Sequence, residues 1–235
     1  MRVDIGTKII EYQINYSRRK TMSITVKPDG TIRVAAPKGT AAKTVQDWVA
    51  SKSKWIAAKM AEVEMANSQI AERSFQSGEE FLYLGRPMRL ELVNDPQQTR
   101  TMVRGRKGTI QVTGPDCSPA AVKAALETWY RWAAGRYIGA RVQNYQIQVG
   151  RKPGRITIRE QKTRWGSCSA RGNLNFNWRI MMAPPEIIDY LVVHELCHLV
   201  HLNHSPVFWN LVGSIMPDYQ VRKEWLGKNG HQLRS

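Results

Sequence analysis

Between residues 8 and 37 apolar and polar positions alternate, in Ile24-Thr25-Val26 and in Thr31-Ile32-Arg33-Val34, on either side of Pro28-Asp29-Gly30. A period of two broken by Pro-Asp-Gly predicts a β-hairpin, because successive side chains on a strand face opposite ways. The period then becomes helical. From residue 44 to about 66, Val45, Trp48, Val49, Ile56, Met60 and Val63 keep largely to a three-to-four spacing with no Gly or Pro between them, which predicts one continuous helix. Gly78 and Gly85-Arg86-Pro87 bracket Phe81-Leu82-Tyr83-Leu84, and a second β region runs through residues 89–93 to Val112. A helix from Pro119 to about Val149 follows, with Val122, Leu126, Trp129, Ala133 and Tyr137 on one face. Beyond Gly154 the pattern predicts a short strand over 155–159, a loop over 162–169 and a strand over 173–181. Pro184-Pro185-Glu186 then opens another helix, since proline fits the first turn and the acid complements the helix dipole.

One stretch is echoed. Gly30-Thr31-Ile32-Arg33-Val34-Ala35-Ala36-Pro37 matches Gly108-Thr109-Ile110-Gln111-Val112-Thr113-Gly114-Pro115, and each precedes an Ala-rich helix with spaced Trp. Chance recurrence of strand, proline and helix start is the simpler reading, and a duplicated hairpin-plus-helix unit is the alternative.

Composition narrows the class. The chain has 235 residues, of which 42% are hydrophobic and 23% charged, the balance of a globular protein long enough for one large or two small domains. Asp4 interrupts the N-terminus where a signal peptide needs an apolar run, and no stretch has the roughly 18 uncharged apolar residues of a membrane span. Cys117, Cys168 and Cys197 are too few and too scattered for a disulfide framework. The expectation is a soluble cytoplasmic protein. With 35 Lys+Arg against 19 Asp+Glu the formal charge is +16. Ten basic residues and one acid, Glu160, fall between 131 and 171, so this segment is either a solvated basic face or a nucleic-acid contact.

The chemistry lies in the helix after Pro185. His194-Glu195-Leu196-Cys197-His198 is an HExxH motif, and residues four apart on a helix stand on one face, so two imidazoles can share one ion. The apolar Ile187, Ile188, Leu191, Val192 and Val193 would bury that helix and hold the ligands rigidly. A catalytic zinc takes three protein ligands and leaves the fourth position to water, so a third ligand is needed. On an unbroken helix His201 would sit roughly 10 Å beyond His194, too far to share its ion. His204 becomes suitable if the helix breaks between Leu202 and Ser205, where Asn203 tolerates a left-handed cap and Ser205-Pro206 suits the next helix start. The pattern is then HExxHxxxxxH. His201 reads as a surface residue or one supporting the ligands, His231 as tail, and Cys197 as a small buried apolar residue.

Arg164-Trp165-Gly166-Ser167-Cys168-Ser169, Asn177-Trp178-Arg179, Ala183-Pro184, the HExxH motif, Asn203-His204-Ser205, Phe208-Trp209 and Pro217-Asp218-Tyr219 together resemble the signature of the YgjP-like predicted zinc metallopeptidases, relatives of the SprT-like proteases. The likeness covers most of the chain. It implies an α+β fold with a small zincin-like core, zinc held by His194, His198 and His204, and Glu195 as general base. The metzincin pattern HExxHxxGxxH has Gly where this chain has His201. The expected division is a β-rich N-terminal part, 1–117, and a zincin-like catalytic region, 118–235, unless the two form one continuous unit.

The expected reaction is peptide-bond hydrolysis by a zinc-activated water whose proton passes through Glu195 to the leaving amine. Tyr219 is a candidate oxyanion donor by its position after the site, against the plain reading of a packed tyrosine. The strand of 173–181 is expected at a sheet edge, pairing with an extended protein or peptide substrate. Trp165, Phe208 and Trp209 read as core supporting the metal helix, and Arg164 as a residue that could face the cleft. Two rivals remain: a metal-dependent nucleotide pyrophosphohydrolase, weakened by the lack of a Gly-rich phosphate loop, and a nucleic-acid-binding protein with structural zinc, weakened by the lack of any CxxC pair.

Overall fold

The computed structural model describes residues 1–6, 8–27, 29–68, 73–161 and 164–234. Pro28 of the expected turn, and Lys162 and Thr163 of the expected loop, lie outside them. The chain forms a mixed α/β structure in two compact units, 1–72 and 73–234, each with its own buried apolar cluster. Among the described residues no helix is long and apolar enough to cross a membrane.

In the first unit β1 (Arg2–Asp4), β2 (Ile9–Ser17), β3 (Ser23–Val26) and β4 (Ile32–Pro37) form one sheet in the order β1-β2-β4-β3. Its buried positions alternate as the sequence requires: Ile32, Val34 and Ala36 of β4 pack with Val45, Val49, Ile56 and Met60 of the helices that follow. Those helices are α1 (Ala42–Ala50) and α2 (Ser53–Ser68), where one was expected. The break has a local cause. The Ser51 hydroxyl donates to the Trp48 carbonyl at 2.7 Å, the competition with helical bonding that makes serine a poor interior residue.

The second unit begins with β5 (Glu80–Tyr83), β6 (Arg86–Asn94), β7 (Met102–Arg106) and β8 (Thr109–Gly114), in the order β5-β6-β8-β7. This is the topology of the first sheet. In each, the outer pairs are antiparallel and the central pair parallel, with Tyr12 opposite Ile32 in one and Leu90 opposite Ile110 in the other. The buried Ile32, Val34 and Ala36 correspond to the buried Ile110, Val112 and Gly114. The sequence echo therefore marks a repeated sheet-and-helix unit rather than a chance recurrence.

Next comes α3 (Pro119–Val149), 31 residues and so about 46 Å long. The Ser118 hydroxyl accepts from Ala121 N, Pro119 occupies the first turn and Gly150 closes the helix at φ 71°. Against α3 lies a second sheet, β10 (Gly166–Cys168), β11 (Leu174–Asn177) and β9 (Ile156–Arg159) in that order. The strand expected over 173–181 stops at Asn177 and continues as a 3-10 turn, Trp178–Met182. It is not an edge: β11 is paired on both sides, because the turn at 169–172 folds 166–168, expected as loop, back against it as β10.

The helix α4 (Pro185–Cys197) runs through the middle of this unit, packed on α3, β10, α5 (Pro206–Ile215) and α6 (Tyr219–Asn229). Ten of its thirteen residues are buried. One is Asp189, whose two oxygens accept from Arg141 of α3 at 2.5 and 2.6 Å and whose Oδ2 also accepts from the Tyr145 hydroxyl at 3.1 Å. The turn between β5 and β6 is fastened nearby, with Leu84 N donating to Met181 O at 2.7 Å. Gly85 in that turn has φ 73°, and a Cβ there would stand 2.9 Å from Pro184 Cα, so only glycine fits.

Candidate metal centre

α4 ends at Cys197, earlier than the break expected between Leu202 and Ser205. Leu199, Val200 and His201 donate back to Leu196 and Cys197 in tight turns, and the chain then doubles back so that His204 faces the helix. Asn203 does not take a left-handed conformation. Its side chain instead accepts from Ser205 N at 3.3 Å, which shapes the entry into α5. No glycine is needed at His201, because no residue from His198 to Ser205 has a positive φ.

The reversal brings His194, His198 and His204 together. One ring nitrogen of each lies within 4.8 Å of the others, and the ring centroids are 4.7 to 5.0 Å apart. His204 Nε2 is 3.1 Å from His194 Nε2. Two nitrogens each 2.0 to 2.1 Å from one tetrahedral ion stand about 3.3 Å apart, so this spacing is close to what a shared zinc requires. His198 Nδ1 is 3.0 Å from the His201 carbonyl, an acceptor that favours the proton on Nδ1 and leaves Nε2 able to ligate. His201 thus serves the site through its backbone. Burial, together with the charges of His198, His204 and Lys223, pulls the His194 pKa down to about 3, and His204 is lowered for the same kind of reason. Neutral imidazole, the ligating form, is what this environment favours.

Aromatic rings form the floor. Phe208, fully buried at the start of α5, stacks on His198 at 4.5 Å and meets His194 and His204 edge-on at 5.1 and 4.9 Å. Trp209 stacks on His204 at 5.5 Å. Tyr219 stacks on Trp209 at 5.3 Å, beside the cluster rather than in it, and Lys223 Nζ lies 4.1 Å from the centre of the same indole.

Glu195 is only 4% exposed, and burial pushes its carboxyl up to about 8 against the opposing pull of Arg164. Its Oε2 is buried and makes no hydrogen bond among the described residues, and neither does His194 Nδ1. The carboxylate rests on the backbone of β10: a Cβ on Gly166 would stand 2.5 Å from Glu195 Oε1. Asn177, almost fully buried, anchors the segment that carries Arg164 by donating to Gln161 O at 2.9 Å, while its backbone N donates to Trp165 O at 2.7 Å. Three converging imidazoles form a donor set that fits a divalent metal, with a buried carboxylate beside them. Sequence reasoning assigned roles to the histidines, Glu195 and Arg164, had Gly166 and Asn177 only as parts of the family signature without a role, and missed Lys223. Gly166 lies in a strand only in the structure, where a glycine marks close approach of another group.

The family model for the YgjP-like metallopeptidase domain matches residues 20–229. Among solved structures, the metallopeptidase zymogen abylysin of Pyrococcus abyssi is 22% identical, with 37% of this chain and 89% of that chain covered and a TM-score of 0.35. The zymogen jannalysin of Methanocaldococcus jannaschii is 21% identical, with 37% and 93% covered and a TM-score of 0.32. A search of curated proteins finds no significant match. Nearly the whole chain, the histidine cluster included, falls within the matched span, and the protein belongs to the YgjP-like metallopeptidase family.

Proposed function

We propose that the chain is a zinc-dependent peptidase with a zincin-like core, in which His194, His198 and His204 hold the ion and Glu195 is the general base. The observation that carries this reading is the convergence of three imidazoles beside a buried carboxylate, one oxygen of which makes no hydrogen bond among the described residues. Zinc, when bound, supplies Lewis acidity toward the peptide carbonyl and brings the pKa of a coordinated water to near 7.

The protein's own residues do the remaining work. The His201 carbonyl holds the His198 ring in its ligating tautomer. Arg164 favours the ionised form of Glu195, opposing burial, and Gly166 lets the carboxylate stand close to β10. Glu195 takes a proton from the attacking water and returns it to the leaving amine. Tyr219, beside the cluster, is the proposed donor to the oxyanion. The free edge of the sheet next to Glu195 is β10, so an extended peptide would pair there rather than on β11, through main-chain bonds with little sequence selectivity. In this reading 118–235 supplies the reacting groups.

A second reading keeps the metal and changes the bond. Arg164 acts electrostatically on Glu195 and Lys223 on His194 and His204, and two cations at the site favour an anionic substrate such as a nucleoside polyphosphate. Metal analysis of the purified protein, followed by peptide cleavage and nucleotide phosphate release on the same sample, separates the two. The peptidase reading expects about one zinc per chain and peptide cleavage abolished by chelation. Phosphate release without peptide cleavage favours the second.

A further inference from the structure

The second unit contains a groove of about 1500 Å³ between the turn joining β5 to β6, the hairpin of β7 and β8, one side of α3 and the start of α4. It lies at the far end of α4 from the histidines: Pro185 and His194 are nine residues apart, or about 13 Å along the helix. Arg86, Arg104, Arg106 and Lys107 line it, all exposed, and Glu186 is the only acid among the lining residues. None of the four cations takes part in an ion pair among the described residues. By contrast, Arg131 and Arg141 of the basic segment at 131–171 are engaged by Glu127, Glu160 and Asp189.

The groove also holds rings. Trp129 and Trp132 stand three residues apart on α3, hence on one face. Trp129 is fixed: it packs on Tyr83 at 4.9 Å, and the hairpin backbone comes so near that a Cβ on Gly105 would be 2.9 Å from the indole. Trp132 is 59% exposed, with the Arg136 guanidinium 5.4 Å from its centre. A large open indole in a groove lined by cations that form no ion pair among the described residues contributes little to the fold. It suits a ligand that brings both flat faces and negative charge.

We propose that this groove binds single-stranded nucleic acid, with a base stacked on Trp132 and the backbone phosphates running along Arg86, Arg104, Arg106 and Lys107. Stacking platforms beside a cationic track are the general means of holding single strands without sequence selectivity. A duplex hides its base faces, and an acidic peptide has no use for the indole. A mononucleotide would leave much of the groove unfilled, since small-ligand pockets run to about 300–1,000 Å³.

The test uses the full chain and a fluorescent twelve-residue oligothymidylate, with fluorescence anisotropy read at several salt concentrations. A duplex of equal length, thymidine monophosphate and an oligoglutamate serve as competitors. The oligothymidylate binds best, and the logarithm of its affinity falls with the logarithm of salt at a slope near −3, at about 0.7 per phosphate contacted. Trp132→Ala weakens binding by about 5- to 150-fold and leaves the slope unchanged. Arg104→Ala with Arg106→Ala lowers the slope by about 1.4. Thermal midpoints of the variants, all altered at exposed positions, establish that they are folded. The proposal is overturned if the duplex, the monophosphate or the oligoglutamate binds as tightly as the oligothymidylate, or if the folded variants bind it like the wild type.

Discussion

At Gly166 the absence of a side chain decides where the Glu195 carboxylate can stand. A methyl group there would overlap Oε1, so Gly166→Ala is expected to displace the carboxylate, retain the metal and lower hydrolysis by about tenfold or more, measured as kcat beside zinc content. His201 gives the opposite kind of result. It acts through its carbonyl, so His201→Ala keeps zinc affinity, whereas His204→Ala loses it by about a hundredfold or more in a competitive chelator titration. Loss of affinity in His201→Ala with retention in His204→Ala would exchange their roles. The HExxH pair was legible because its spacing is itself helical geometry. The roles of Gly166 and Asn177 were not, because the groups they meet are set by how the strands and α4 pack, and a backbone carbonyl such as that of His201 leaves no mark on residue type.

Among the elements, α3 was read correctly to its ends because both caps are written in the chain, Ser118-Pro119 at one end and Gly150 at the other. α4 carries no such stop. It ends at Cys197 through a run of tight turns, which residue preferences alone do not announce. β10 was missed for a related reason, since three residues of Gly-Ser-Cys have little strand propensity and are held by pairing with β11. The position of α4 depends on α3 through Asp189. Asp189→Ala leaves the Arg141 guanidinium partly buried and unpaired, and is expected to destabilise the protein by about 2–3 kcal/mol, read as a lower denaturant midpoint at unchanged slope.

At the scale of the molecule, the repeated sheet was visible only where its central parallel pair keeps a buried apolar position at every second residue. Elsewhere the two copies have diverged: Tyr12 of one corresponds to Leu90 of the other, and only the pairing register reveals it. The separate cores of 1–72 and 73–234 make a calorimetric prediction. Chelation should lower the melting temperature of the larger transition, about 110 kcal/mol for the second unit, and leave the smaller, about 50 kcal/mol, in place. A single transition that moves as a whole would show that the units unfold together.

The central claim is that metal binding and proton transfer reside in different residues, the ion on His194, His198 and His204 and the proton on Glu195. Glu195→Gln keeps size and hydrogen-bonding capacity but cannot accept a proton, so zinc content and hydrolysis measured together on that variant test the claim most directly. The expected result is wild-type zinc stoichiometry with peptide hydrolysis reduced by about 10²-fold or more. Wild-type turnover by the zinc-loaded variant would contradict it.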